Sequence, residues 1–244
     1  MASPGQLCEV VARLLGKSLP TVLAHDHQLA KAGFRTTGGR GRSAARMTAT
    51  DAATLIIASI VSPTIKDTVV TLESYASLWA KAGLLTLKQN YRPVGEPERL
   101  GEAWDLRFMP LSGLTALGAD HTFPRFLATL IESATNGEMK LAEHEEHEVR
   151  RRHVPYPPSV IVPSLNITLT TPWTRARVSI STTNFEEVRT YNAKGRMAGY
   201  VGPTSADLFA DYTISDRTIY AISKCLRDEP LGKIPSRKER GQTK

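Results

Sequence analysis

Apolar residues return at helical spacing from the start of the chain. Leu7, Val10, Val11, Leu14 and Leu15 share one face, with Ser3-Pro4 placed to begin such a helix and Gly16 to end it. A second helix is predicted from about Pro20 to Ala32. Ser18 is positioned to cap it, Pro20 suits a first turn with spare amides, and Gly33 tolerates the left-handed conformation that ends helices. On a helical wheel Leu19, Val22, Leu23, Leu29 and Ala30 fall on one arc, and Thr21, Ala24, His25, Gln28 and Lys31 on the opposite one. Asp26 breaks the pattern by falling within the apolar arc. It pairs with Arg13 or with an arginine further on, or the helix is rotated from this estimate.

Thr48 and Asp51 form a variant capping box for a strongly apolar helix, Ala49 to Val61, whose inner face carries Ala52, Leu55, Ile56, Ser59 and Ile60. Ser62-Pro63 ends it. Thr64 and Asp67 then start a helix with Ile65, Val69, Leu72, Leu78 and Trp79 facing inward and Gly83 as its stop. These apolar helices read as core or as a dimer interface. Asn90, Pro93, Gly95, Pro97 and Gly101 mark Lys88 to Glu102 as loop. Trp104 to Met109 alternates like a short strand, and Phe123 to Ala134 reads as a helix capped by Thr122. The charged run from Glu143 to His153 reads as a solvated helix or linker.

Beyond it the period changes to two. Leu165–Thr170 and Ala176–Ser181 alternate around a Thr171-Pro172 turn, and Phe185–Tyr191 and Arg196–Val201 flank Asn192-Ala193-Lys194-Gly195. These predict an antiparallel meander. Ser215 caps a last helix containing Ile219, Ile222 and Leu226, and the tail from 229 to 244 is basic and expected to be disordered. The fold class is therefore α+β. A helical region, 1–87, precedes a mixed domain with an antiparallel sheet, 103–228.

Charge sharpens the picture at one place. The chain has a net charge of +7, and between His27 and Thr50 there are five basic residues and no acidic one. Arg35, Arg40, Arg42 and Arg46 fall in a glycine-rich loop directly after the second helix. A short helix with hydrogen-bonding side chains on its outer face suits the major groove, where base edges display donors and acceptors. Two helices joined by a tight turn make a helix-turn-helix, and a basic loop after the second is how a winged form reads DNA. The DNA-binding candidates are accordingly Ser18, Thr21, His25, Gln28, Lys31, Arg35, Arg40, Arg42 and Arg46. Most winged helices place three helices before the wing and this chain has two, so the helix from Ala49 must supply the missing packing partner.

Other chemistries fit less well. In TTGGRGRS, Thr36 stands where a phosphate-binding loop needs its first glycine, and Arg42 replaces the lysine. His144 and His147 are three apart, whereas the zinc-protease helix needs four. Glu186 and Glu187 adjoin on a predicted strand, so they face opposite sides and form no dyad. Cys8 and Cys225 build neither a disulfide framework nor a zinc site. No cofactor and no metal is expected. The longest apolar run, LIIASIV, is too short for a membrane span, so a cytoplasmic protein is expected.

The segment VLAHDHQLAKAGFRTTGGRGRSAARMT resembles the MarR-like winged-helix regulators, in which a recognition helix ends in L-x-x-x-G and a basic wing follows. It is also similar to small DNA-binding proteins of phages and prophages. The resemblance covers about 60 residues. It implies that Thr21, His25 and Gln28 face bases and that Arg40 and Arg42 sit on the wing. The function expected is sequence-specific binding of double-stranded DNA in transcription regulation, as a homo-oligomer and without enzymatic activity. The alternatives are site recognition in phage packaging or replication, and an enzyme whose site lies in the C-terminal region.

Overall fold

The computed structural model describes residues 2–39, 45–89, 92–104, 111–139, 164–181, 185–194 and 210–229. Its first helices form where their caps are. α1 (Pro4–Leu15) opens with a reciprocal capping box between Ser3 and Gln6 and ends on Gly16 at φ +64°. α2 (Leu19–Lys31) is capped by Ser18, which accepts from the Thr21 amide, and it closes through Gly33 at φ +80°. α3 (Ala49–Val61) carries the Thr48–Asp51 capping box, with both reciprocal bonds made. Eleven residues of α3, Asp51 to Val61, are buried, so this helix is the axis of the core. It packs against α1 and α2, and so provides the partner that the first two helices lack. Of the two readings of this helix, core or dimer interface, the same burial selects core. α3 has no face left to serve as a dimer interface.

The helix expected to reach Gly83 is shorter. α4 (Thr68–Ala76) buries Leu72 and Tyr75, whereas Ile65 precedes it and is exposed. Leu78 and Trp79 belong instead to β1 (Leu78–Ala80), followed by β2 (Leu84–Gln89), β3 (Arg92–Pro93) and β4 (Glu98–Arg99). Apolar spacing from Leu72 to Leu78 and Trp79 fits a helix as well as a strand. Pairing with a distant strand decides between them. α5 (Ser112–Thr115) and α6 (Phe123–Thr135) come next. Thr122 occupies the N-cap position of α6 without a side-chain cap bond, and it bridges to Trp79 instead.

The sheet then builds as β5 (Ser164–Thr171), β6 (Arg175–Ser181), β7 (Phe185–Ala193) and β8 (Ala210–Ser215), and α7 (Asp216–Leu226) closes the described chain. β5, β6 and β7 form the expected antiparallel meander, with Ile167 opposite Val178 and Val178 opposite Arg189. β8 was not anticipated. Its sequence, ADYTIS, alternates too weakly, yet it pairs along β5 with Ile214 opposite Ile167. The strand order is β3-β2-β7-β6-β5-β8, and β1 also pairs with β7. Residue 87 therefore lies inside β2, which pairs with β7, and among the described residues the core is one apolar cluster running from α1 to α7. The core does not divide where composition changes. α3, α6 and α7 cover the inner sheet face, on which Leu165, Ile167, Val178 and Ile180 are buried, and the Tyr75 hydroxyl ties α4 to the Thr170 carbonyl at 2.7 Å. The strands expected at Trp104–Met109 and Arg196–Val201, the charged run from Glu143 to His153 and the basic tail lie outside the described residues, apart from Trp104, which is buried, and Glu229.

A hydrogen-bonded chain runs through the interior beside β7. Trp104 Nε1 donates to the Tyr191 hydroxyl at 3.1 Å, which faces His121 Nε2 at 2.9 Å, and His121 Nδ1 faces the Gly118 carbonyl at 2.9 Å. An indole can only donate and a carbonyl can only accept, so the proton on His121 sits on Nδ1 and Tyr191 donates to Nε2. Protonating Nε2 would break this chain. Burial lowers the His121 pKa, and the nearby Arg189 and Arg125 lower it further. A histidine whose folded pKa is depressed holds full stability above its ordinary value of 6.5 and loses it as pH falls through the window below. Thermal melts at stepped pH are expected to show a declining Tm as pH drops from about 7 to about 5, and a shallower decline in His121→Asn. A flat profile in the parent protein contradicts this.

Candidate nucleic-acid interface

The tight turn at Gly16–Ser18 places α2 against α1, and α3 and α4 support it from behind. Which face α2 turns outward follows from its buried polar residues. Val22, His25, Asp26 and Leu29 point into the core, whereas Pro20, Leu23, His27 and Lys31 are exposed, Leu23 to 41%. The helix is rotated from the wheel estimate, because two polar residues find partners inside. His25 Nδ1 lies 2.7 Å from Thr68 Oγ1, whose own proton goes to the Ile65 carbonyl at 2.7 Å, so His25 donates from Nδ1. Burial and then Lys17 lower the His25 pKa. Asp26 Oδ1 meets Arg35 Nε at 2.9 Å, which selects the loop arginine over Arg13.

That ion pair is a charge contact rather than a directed hydrogen bond, since neither of the two atoms makes one. Burial raises the Asp26 pKa, Arg35 draws it down and Asp51 pushes it up. The raised direction agrees with the missing hydrogen bond. Desolvation outweighs a partner whose geometry is imperfect.

The DNA-binding candidates therefore separate. Gln28, half-exposed, and Lys31, exposed, stay on the outer face of α2. Ser18 is exposed, and its hydroxyl is 2.6 Å from that of the half-buried Thr21, so both serve the helix cap. His25 is corrected: it is buried at 2% and cannot reach a base. Arg35 is corrected too, being half-buried and tied to Asp26. Arg46 is exposed, and Arg40 and Arg42 lie outside the described residues. His27 and Leu23 join the outer face, which the wheel alone missed. The clue was Asp26, because an acid within an apolar arc signals rotation toward a partner.

The ends of the loop are held by one carboxylate. Asp51, in the first turn of α3 and buried, accepts from the Thr36 amide at 2.7 Å through Oδ1 and from the Thr48 amide at 2.8 Å through Oδ2. The buried Met47 anchors the same point, its amide donating to the Ala2 carbonyl at 3.0 Å. Among the described loop residues, 35–39 and 45–48, none is in a strand.

Elsewhere, Glu186 and Glu187 do face opposite sides of the sheet. Glu186 pairs with Lys88 at 3.1 Å on the outer face, and Glu187 with Arg189 at 2.8 Å inside. Among the described residues no group of three His, Cys, Asp or Glu side chains is arranged to hold a metal, and no helix is long and apolar enough to cross a membrane. No protein-family model, curated protein or solved structure matches this chain.

Proposed function

We propose that this protein binds double-stranded DNA sequence-specifically, with α2 in the major groove and the following basic segment on the phosphates. One observation carries the reading. Asp26 is the sole acidic residue from Ser18 to Thr50, and it is turned inward and paired with Arg35. Every exposed charged side chain described in that stretch is therefore basic, next to the neutral hydrogen-bonding Gln28. Such a surface draws in the phosphate backbone while one rigid helix meets the base edges. A role in transcription regulation rests on the resemblance of this segment to MarR-like regulators of DNA. Two copies on adjacent half-sites are part of the same reading, because a single helix reads few bases.

Selection from a random duplex pool tests it. One motif is expected, and two half-sites about one helical turn apart mark a homo-oligomer. Gln28→Ala is expected to relax specificity at one base pair, at a cost of roughly 1–3 kcal/mol on the preferred site. Lys31→Ala should weaken all duplexes alike and lower the salt slope by about one. If both variants bind the selected duplex as the parent does, α2 is a structural hairpin and the proposal fails.

A further inference from the structure

We propose that Asp51 is a positioning residue of the DNA-binding surface, setting Arg46 beside the outer face of α2 by holding both ends of the intervening segment. The inference rests on the DNA-binding reading above and adds a residue that touches no DNA. Asp51 has two tasks, and they use different oxygens. Oδ2 completes the α3 cap with the Thr48 amide and hydroxyl, each at 2.8 Å. Oδ1 takes the Thr36 amide at 2.7 Å, fifteen residues back along the chain. A capping box needs only the first. The second joins the strand of chain leaving α2 to the one entering α3, and Arg46 stands two residues before that junction.

Two further contacts and the burial of Asp51 itself make the junction rigid. Arg35, adjacent to Thr36, is tied to Asp26 of α2 at 2.9 Å. Met47, adjacent to Arg46, is buried at 4% and bonded to the Ala2 carbonyl. Asp51 itself is 3% exposed, so water competes poorly for its oxygens. Arg46 thus leaves a point of the backbone that Met47 and the Asp51–Thr48 bond hold together, while Asp51 ties that point to the chain leaving α2. A phosphate contact spaced to a base contact needs that kind of fixity.

Glutamate separates the two tasks. It is the usual acid of a capping box, so Asp51→Glu keeps the α3 cap, while its extra methylene shifts the oxygen that meets Thr36. In the full-length variant, amide hydrogen exchange is expected to quicken about tenfold at Thr36 and little at Thr48. Affinity for the duplex returned by selection, or for a random-sequence duplex at low salt if selection returns none, is expected to fall about tenfold. If the glutamate variant does not fold, Thr36→Pro removes the donated amide and leaves Asp51 and its α3 cap in place, and it is read by affinity alone. Quickened exchange at Thr36 with unchanged affinity overturns the positioning role. Unchanged exchange at Thr36 overturns the bridge itself. Quickened exchange in a protein whose parent binds no duplex keeps the bridge but overturns both the DNA-binding reading and the role proposed for Asp51 within it.

Discussion

Arg189→Ala is expected to cost about 3–5 kcal/mol of folding stability, a large share of what a domain of this size holds. The guanidinium is fully buried on the inner face of β7 and pairs with Glu187, itself fully buried, at 2.8 Å. It also donates to the carbonyls of Gly101 at 2.6 Å, Lys81 at 3.3 Å and Ala103, and it lies 4.9 Å from the Trp104 ring. Gly83 leaves room for it, since a Cβ there would come within 3.0 Å of Nη2. Truncating Arg189 removes its charge from a buried carboxylate and its donors from three backbone acceptors, and water has no easy way in. The double variant Arg189→Met, Glu187→Leu is expected to lose less than Arg189→Ala alone. It strands no charge, although the carbonyls of Gly101, Lys81 and Ala103 still lose their donor. Denaturant unfolding of the two variants checks this. A single variant within about 1 kcal/mol of the parent contradicts it.

This pair also shows where the sequence stops being readable. Alternation in EEVRTY announces a strand, and from it follows that Glu186 and Glu187 point to opposite sides. Which side is buried depends on the 81–103 segment folding over β7, and no local pattern reports that. The helices were legible because their signals are local. Ser3 with Gln6, Ser18 with Pro20, and Thr48 with Asp51 each sit within one turn of the bonds they make. Leu78 and Trp79 were not, since pairing with β7 overrides a spacing that suits a helix equally well, and Leu84 to Leu87 form a strand only through the same partner. The same limit governs the candidate interface. α2 and its ends were read correctly, but its rotation depends on Thr68, forty-three residues away, and on Arg35. A local reading therefore puts His25 and Arg35 at the surface and leaves His27 unassigned.

Arg35 tests that difference directly, because its two roles leave different marks. As a phosphate contact, Arg35→Ala would lower the salt slope of DNA binding by about one and leave folding alone, as expected for Lys31→Ala. As the partner of Asp26, it stabilises the fold and makes no contact with DNA. The pair is nearly but not fully buried, with 15% of the Arg35 side chain and 10% of Asp26 exposed. The loss expected from Arg35→Ala is therefore about 1–3 kcal/mol, below that of a fully buried pair. Asp26→Ala should cost less, because the long arginine arm can turn its charge to water while a carboxylate on α2 cannot. The sign of the pH dependence follows from the same burial. The Asp26 pKa is raised in the folded state, so its ionisation costs stability as pH rises through that value, and losing Arg35 raises it further. The deficit of Arg35→Ala relative to the parent should thus be large near neutral pH and shrink as pH falls below the raised Asp26 pKa, where the carboxyl is protonated in both. Chemical denaturation across that range, with a salt titration of duplex binding on the folded variant, reads both roles in one protein. A full-size stability deficit with an unchanged salt slope makes Arg35 a tie within the fold; an unchanged stability with the slope lowered by about one makes it the phosphate contact that its place among the loop arginines suggests.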